Sequence, residues 1–582
     1  MTRWVRTAVA LAAALGITGA APLRPLDDGS APSRVDALAA EFVAHRPGAG
    51  LAAAMPEPLP TLTEAREDGA WAVSFLRRLH AIAPESLTHN DWVTYAMLEY
   101  DAELMRDAVQ FFWLDMPITP YASRLRGMRD AFAGLPVKTP DDRIAYLDAL
   151  QRLAVTMASY EVRLRDQLHR GIVLPADELQ IVVPYVRSFE ATADANPYAV
   201  ADARLTGVAD ADRAAFRADL DAAVHDVVNP AFERVAAFLD GPYREKARPE
   251  VGASQYPNGR AYYQYLIRRH TGLTLTPEQI HRIGLEEVAR LEAALDQVRR
   301  DAGFQGTLEE FRTFLRTDRR FFARSSEEIG DRMMAAIRRI EPRVPEFFPI
   351  TPKAPYGVRP LDAALAGSMT YGYYQVPGAD DPSGYYRFNG SRPEERSTLM
   401  AEATIYHELV PGHHFQIALQ MENDALDPYR RASFPTAFIE GWGEYASDLA
   451  GEMGMYVDPY QRAGRLAMDL FVSTRLVVDT GMNALGWSRA KAIEYMRAHT
   501  FETDLQIGTE TLRYSADIPA QALAYKLGSR KIHELRERTR EAMDGRFDLR
   551  AFHAHLLEYG AMPLGVLDGH AACFVHERHK QS

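Results

Sequence analysis

Cysteine is nearly absent from this sequence. Cys573 is the only one among 582 residues, so the chain can close no disulfide within itself, and its stability has to come from packing. Positive charge is also short. Lys and Arg number 66 against 79 Asp and Glu, a formal net charge of −13, and no long basic run occurs. That balance argues against nucleic acid as a partner and against binding to an anionic membrane surface. Long apolar runs are missing as well. The most apolar short stretch, Thr7 to Ile17, follows Arg3 and Arg6 and precedes the small residues Thr18-Gly19-Ala20-Ala21. It is too short for a comfortable bilayer span and has the layout of a secretory signal. Residues 1–20 are therefore expected to be a signal peptide. The mature chain is expected to lack an integral membrane span and to be periplasmic or secreted. With no cysteine near the cleavage site, lipid attachment there is not expected.

What remains is an ordinary soluble composition, 47% hydrophobic and 25% charged, in a chain long enough for more than one lobe. Helical periodicity dominates. Asp91 to Phe112 opens one long pattern, Ile144, Leu147, Leu150 and Ala154 mark a second, and Asp210 to Leu239 a third. Thr276-Pro277-Glu278-Gln279 and Ser325-Ser326-Glu327-Glu328 have the form of helix starts with capping boxes. The exception is 350–392. Met369–Val376 and Tyr385–Asn389 are short, aromatic and bounded by Gly, Pro and Asp, as strands are. The expected fold is mainly α and two-lobed, with a small β-sheet beside the active-site helix. The expected division is an N-terminal helical lobe over 21–250 and a C-terminal lobe over 251–582. Ser391-Arg392-Pro393-Glu394 is expected to lead into and cap the helix that follows.

That helix carries Tyr406-His407-Glu408-Leu409-Val410-Pro411-Gly412-His413-His414. Zinc takes neutral imidazoles and a carboxylate and leaves a position for water, and a neighbouring Glu can take a proton from that water. The usual spacing is His-Glu-x-x-His, but Pro411 occupies the place of the second His. His407 and His413 are six residues apart, about 240° and roughly 9 Å on a regular helix, too far to share an ion. Pro411 cannot donate to the His407 carbonyl, and Gly412 tolerates unusual dihedrals. A two-residue bulge is therefore expected to bring His413 in as the second ligand. His414 shares a face with His407 but lies about 10.5 Å along the axis, and it stays open as the competitor or as a substrate contact. Downstream, Glu440 and Glu444 are four apart in Phe438-Ile439-Glu440-Gly441-Trp442-Gly443-Glu444-Tyr445. Glu440 suits the third ligand. Glu444 suits the carboxylate that fixes a ligating imidazole.

His-Glu-x-x-Pro-Gly-His-His followed by Glu-Gly-Trp resembles the bacterial domain-of-unknown-function 885 family, which is regarded as a group of zinc peptidases. The resemblance extends through Tyr262-Tyr263, Thr276 to His281, Asp479-Thr480-Gly481, Pro519 to Gly528, Phe552-His553 and Gly560 to Leu564. It implies a Zn²⁺-dependent hydrolase, most simply a metallopeptidase of oligopeptidase or carboxypeptidase type, with Glu408 as general base. The helix expected over Pro519–Gly528 offers Tyr525, which the resemblance favours as an oxyanion donor. Tyr374, Tyr386 and Asn389 are candidate substrate contacts on the sheet, and Arg475 and Arg530 are candidate clamps for a peptide carboxylate. The chain departs from the family at Asn483, where a His is usual. Two alternatives remain: a zinc amidase or esterase acting on a non-peptide compound, and a periplasmic binding or scaffold protein with a vestigial site. His533-Glu534-Leu535 and the tail residues Cys573, His576 and His579 read as surface features. His89, His169 and His225 read as isolated histidines.

Overall fold

A computed structural model describes residues 33–45, 55–121, 123–192, 195–361, 372–378, 381–543 and 545–580. The expected signal peptide and the first residues of the Met369–Val376 strand lie outside these. The described chain is mainly α, with one small three-stranded sheet. No described helix is long and apolar enough to cross a membrane.

The first part of the chain contains α1 (Arg34–His45), α2 (Leu62–Leu79), α3 (His89–Ala108), α4 (Leu125–Gly134), α5 (Pro140–His169), α6 (Ala176–Arg187), α7 (Asp210–Ala223) and α8 (Asn229–Phe238). The pattern expected to run unbroken from Asp210 to Leu239 is interrupted by a π turn over Val224–Val228, directly before Pro230. Pro230 has no N–H to place in an α ladder, and the wider turn accommodates it. Leu150, Leu153, Phe232, Val235 and their neighbours form one apolar core. The earliest helices belong to a different one. Val35, Phe42, Phe75 and Leu98 pack in the same cluster as Phe438, Trp442 and Tyr445, so the start of the chain supports the helices that carry the site.

The second part continues with α9 (Gly259–Thr271), α10 (Pro277–Asp301) and α11 (Ser326–Ile340). Both expected helix starts form. Thr276 caps the Gln279 amide in a full capping box, and the Ser325 hydroxyl accepts from the Glu328 amide. Strands β1 (Tyr356–Pro360), β2 (Tyr373–Gln375) and β3 (Gly384–Phe388) make a mixed sheet in the order β1-β3-β2. β1 runs parallel to β3, and β2 runs antiparallel to it with Tyr374 opposite Tyr386. The sequence reading missed β1.

Next come α12 (Ala401–Glu408), α13 (His413–Met421), α14 (Thr436–Glu452), α15 (Pro459–Ala484), α16 (Asp504–Leu512), α17 (Ala524–Ala542), α18 (Leu549–Glu558) and α19 (Leu564–Lys580). α10 lies along α15 and α14 along α17, two helix pairs that frame the site. Two local expectations fail. Ser391 does not cap α12. It donates to Asn389, a 3₁₀ turn covers Pro393–Glu395, and α12 starts without a side-chain cap. Pro519–Gly528 is not one helix. Ala520 takes a positive φ of 68° and a 3₁₀ turn covers Gln521–Leu523, so α17 begins only at Ala524.

Candidate metal centre

The His407–His413 segment is not a bulged helix. It is two helices with a break between them. α12 ends at Glu408, Leu409 and Gly412 leave helical dihedrals, and α13 begins at His413 across a cis Val410–Pro411 bond. The break achieves what a bulge was expected to do. Gly412 is required for it, because a Cβ there would lie 1.8 Å from the His407 carbonyl oxygen. The fully buried Trp442 indole donates to the Pro411 carbonyl at 2.9 Å and ties the break to α14.

The Nε2 atoms of His407 and His413 lie 3.5 and 3.3 Å from the same Glu440 oxygen, Oε2. Donor atoms of the three residues all fall within 4.8 Å of one another. The two imidazoles meet nearly edge to face, at 78° and 4.4 Å between centroids, so their lone pairs converge instead of running side by side. Gly443 gives the His407 ring its space: a Cβ there would approach the imidazole to 2.7 Å. Behind the ring, Nδ1 lies 3.1 Å from Glu444 Oε1, off the line of an ideal hydrogen bond, and Arg465 donates to Glu444 Oε2 at 3.0 Å. Glu444 and Arg465 are both buried.

Electrostatics fit this arrangement. Burial would lower the His407 pKa, but Glu440 and Glu444 outweigh it and hold the imidazole up at about 10. Burial would raise Glu440, yet the two imidazoles pull it far below the usual carboxylate range. Glu444 is likewise held down, by Arg465 and then His407, against its burial. Without an ion, protons on the imidazole side balance the buried carboxylates. A dication on two nitrogens and one oxygen would balance them equally, and N₂O is a donor set that zinc accepts. The residues present fit such an ion.

Glu408 stands next to His407 and lines the cleft on both sides of it. Burial raises its carboxyl against the pull of His413 and His407, toward the range useful for a general base. The cleft has two lobes, of about 600 and 350 Å³, and both are lined by Gly372, His407, Glu408 and Tyr525. The Tyr525 ring stacks on His407 at 6.3 Å, and burial, then Glu440, push its phenol up to about 12, so it keeps its proton.

The other candidates separate clearly. His414 is fully buried and committed: Nε2 donates to Ala354 O at 3.0 Å and Nδ1 accepts from the Tyr374 hydroxyl at 2.9 Å. It anchors the sheet to α13 and does not line either lobe, which leaves His413 as the partner of His407. Tyr374 lines the smaller lobe and Tyr386 the larger. Asn389 is buried and accepts from the amide and hydroxyl of Ser391, away from the lobe linings. Arg475 lines the larger lobe, but its guanidinium donates to Tyr514 and Glu510 and stacks over Tyr525 at 4.6 Å. Arg530 pairs with Glu287 at 2.7 Å and lies outside both lobes. Asn483 also lies outside them. Its amide is fully buried, donating to Asp479 and Tyr514 O and accepting from Ala253 N, so it knits backbone segments together. His533 pairs with Asp448 at 3.2 Å.

His89 is not isolated. Its Nε2–H donates to His570 Nδ1 at 2.8 Å, and His555 and His570 each donate Nε2–H to the other's carbonyl. Arg465 and the Trp442 anchor were also missed by the sequence reading. Arg465 shares its helix with Arg462, Asp469 and Arg475, so nothing local in the sequence flags it.

The family model for bacterial proteins of unknown function DUF885 matches residues 50–570. A predicted lipoprotein of Colwellia psychrerythraea has a crystal structure similar to this one, with TM-score 0.83 and 25% identity over 94% of this chain and 99% of that one. A predicted lipoprotein of unknown function from Shewanella oneidensis is similar at TM-score 0.70 and 18% identity, over 92% and 98% of the two chains. No curated protein matches the sequence. The match to the family model spans nearly all of the chain, which therefore belongs to the DUF885 family of bacterial proteins.

Proposed function

We propose that this protein is a zinc-dependent hydrolase, most simply a metallopeptidase. One observation carries the reading: His407, His413 and Glu440, from three separate helices, bring their donor atoms together on a cleft where Glu408 is the adjacent carboxylate. When bound there, Zn²⁺ supplies a Lewis acid and lowers the pKa of water. Glu408 takes a proton from the attacking water and returns it to the leaving amine. Glu444, steadied by Arg465, stands 3.1 Å behind Nδ1 of His407, where it can orient the imidazole with Nε2 toward the ion. Tyr525, which keeps its proton, donates to the oxyanion. Tyr373 and Tyr374 of β2 line the smaller lobe, so an extended peptide can lie along that strand.

The Colwellia neighbour is a predicted lipoprotein, and together with the signal-like start of this sequence it supports a site of action outside the cytoplasm. The test is a panel of short peptides and small amides offered to the zinc-supplemented protein. Hydrolysis that disappears in Glu408→Gln while zinc is retained supports the reading. A fully active Glu408→Gln variant contradicts it. Turnover of amides alone makes the protein a zinc amidase.

A further inference from the structure

Part of the larger lobe's wall comes from the N-terminal half of the chain, where Arg126 of α4 faces Tyr185 of α6 and Tyr121. Arg126 is half-buried and forms no hydrogen bond or ion pair among the described residues. A guanidinium in such a position ordinarily finds a carboxylate. Five acids line the same lobe, Glu408 and Glu444 at the metal centre and three others, and none pairs with it. Glu510 accepts from Arg475, Tyr514 and Gln506. Asp517 accepts from the Thr119 hydroxyl and the Tyr121 amide. Glu178 is almost wholly buried, and burial, then Asp517, push its carboxyl toward the neutral form.

The two arginines singled out in the sequence as carboxylate clamps are committed elsewhere, Arg475 to Glu510 and Arg530 to Glu287. Among the described residues, the guanidinium of this cavity without a hydrogen-bond or ion-pair partner comes instead from α4, in the same cavity as His407 and Glu408.

We propose that Arg126, half-buried in the wall of the larger lobe, receives a carboxylate of the substrate there and so makes the protein selective for acidic ligands. The proposal rests on the hydrolase reading for what happens to the bound ligand, but not for the binding itself. The carboxylate can be a peptide's C terminus or an acidic side chain, and both present the same planar acceptor to a guanidinium.

The test is calorimetric binding to the Glu408→Gln protein, which holds substrate without consuming it. The probes are Ala-Ala-Phe, its C-terminal amide, and acetyl-Ala-Glu-Ala-amide. The free acid is expected to bind about 10- to 100-fold tighter than the amide, the range for a hydrogen bond to a charged group. Arg126→Ala should erase that difference and Arg126→Lys should keep part of it. Arg126 has no partner to lose, so both variants should fold, and circular dichroism checks this. Tight binding of the glutamate peptide as well would identify any carboxylate as the ligand, and weak binding would confine it to the C terminus. Equal affinity for acid and amide, a preference that survives Arg126→Ala, or no binding of any probe would overturn the proposal. Wild-type turnover separates the two readings. Hydrolysis with equal kcat/KM on acid and amide removes carboxylate selectivity and leaves the hydrolase. Carboxylate-selective binding without turnover of any substrate does the reverse.

Discussion

Among the described residues, two groups of three bring metal-ligating atoms within 4.8 Å of one another: His407, His413 and Glu440, and His89, His555 and His570. Proximity is the same in both, and the chemistry differs. In the first, the rings are nearly perpendicular, and one carboxylate oxygen lies within 3.5 Å of a nitrogen of each. In the second, the rings are stacked close to parallel, His555 on His570 at 4.0 Å and 8° and His89 on His570 at 5.1 Å and 13°. In-plane lone pairs of face-stacked rings such as His555 and His570 do not converge. The protons are also placed already: two Nε2–H groups serve backbone carbonyls, and the one short contact between rings is itself a hydrogen bond. Burial drives all three toward the neutral form, and no carboxylate opposes it. A cluster of histidines thus becomes a metal site only when its lone pairs converge and its charge is unbalanced. The second cluster is a packing device joining α3, α18 and α19.

The largest expected effect belongs to the first group. Glu408→Gln should keep its zinc and lose about 10²- to 10⁴-fold in kcat, the usual contribution of a general base. Paired activity and metal assays check this.

Acid should strike the second group. His89 and His555 have folded-state values near 4 against an ordinary 6.5, so the unfolded chain binds more protons in that window. Their stabilising contribution is complete above about pH 6.5 and is lost as pH falls toward 4. For the deeply buried His555 alone this amounts to roughly 3 kcal/mol. Denaturant midpoints of the wild type between pH 7 and 4.5 should fall with acid. The slope should flatten in His555→Phe, and an unchanged slope would remove the cluster from the account.

A finer probe is Glu444→Gln, which leaves the ligands in place and weakens the support behind His407. Zinc affinity should fall about 10- to 100-fold with the fold intact, as competition with a chelator can show. Gly443→Ala should act in the same direction by pressing the imidazole off its line, with an overpacking cost of about 1–3 kcal/mol in thermal unfolding.

Much of the first group was legible in the sequence because its information is local. His407, Glu408, Pro411, Gly412 and His413 fall within seven residues, and Glu440 and Glu444 declare a shared face by their spacing. Even the failure of the regular helix at Pro411 could be read, although its form, a full break instead of a bulge, depended on Trp442 reaching across from α14. The capping boxes at Thr276 and the aromatic strands were legible for the same reason. The second group was illegible because His89 and His570 are 481 positions apart and nothing local marks either one. Arg465, Arg126 and β1 were missed for similar reasons. Whether an arginine is answered or free is a property of the cavity wall, not of its neighbours in sequence. Asn483 carried the opposite lesson. It departs from the family pattern, yet it sits in a buried backbone junction and not in the cleft.

The most direct test is the metal content of the purified mature chain after zinc is supplied, compared with His413→Ala, His414→Ala and His555→Ala. The account predicts about one zinc per chain in the wild type, His414→Ala and His555→Ala, and none in His413→Ala. Zinc that survives His413→Ala and is lost with His414 or His555 would contradict it, as would a wild type that binds no metal.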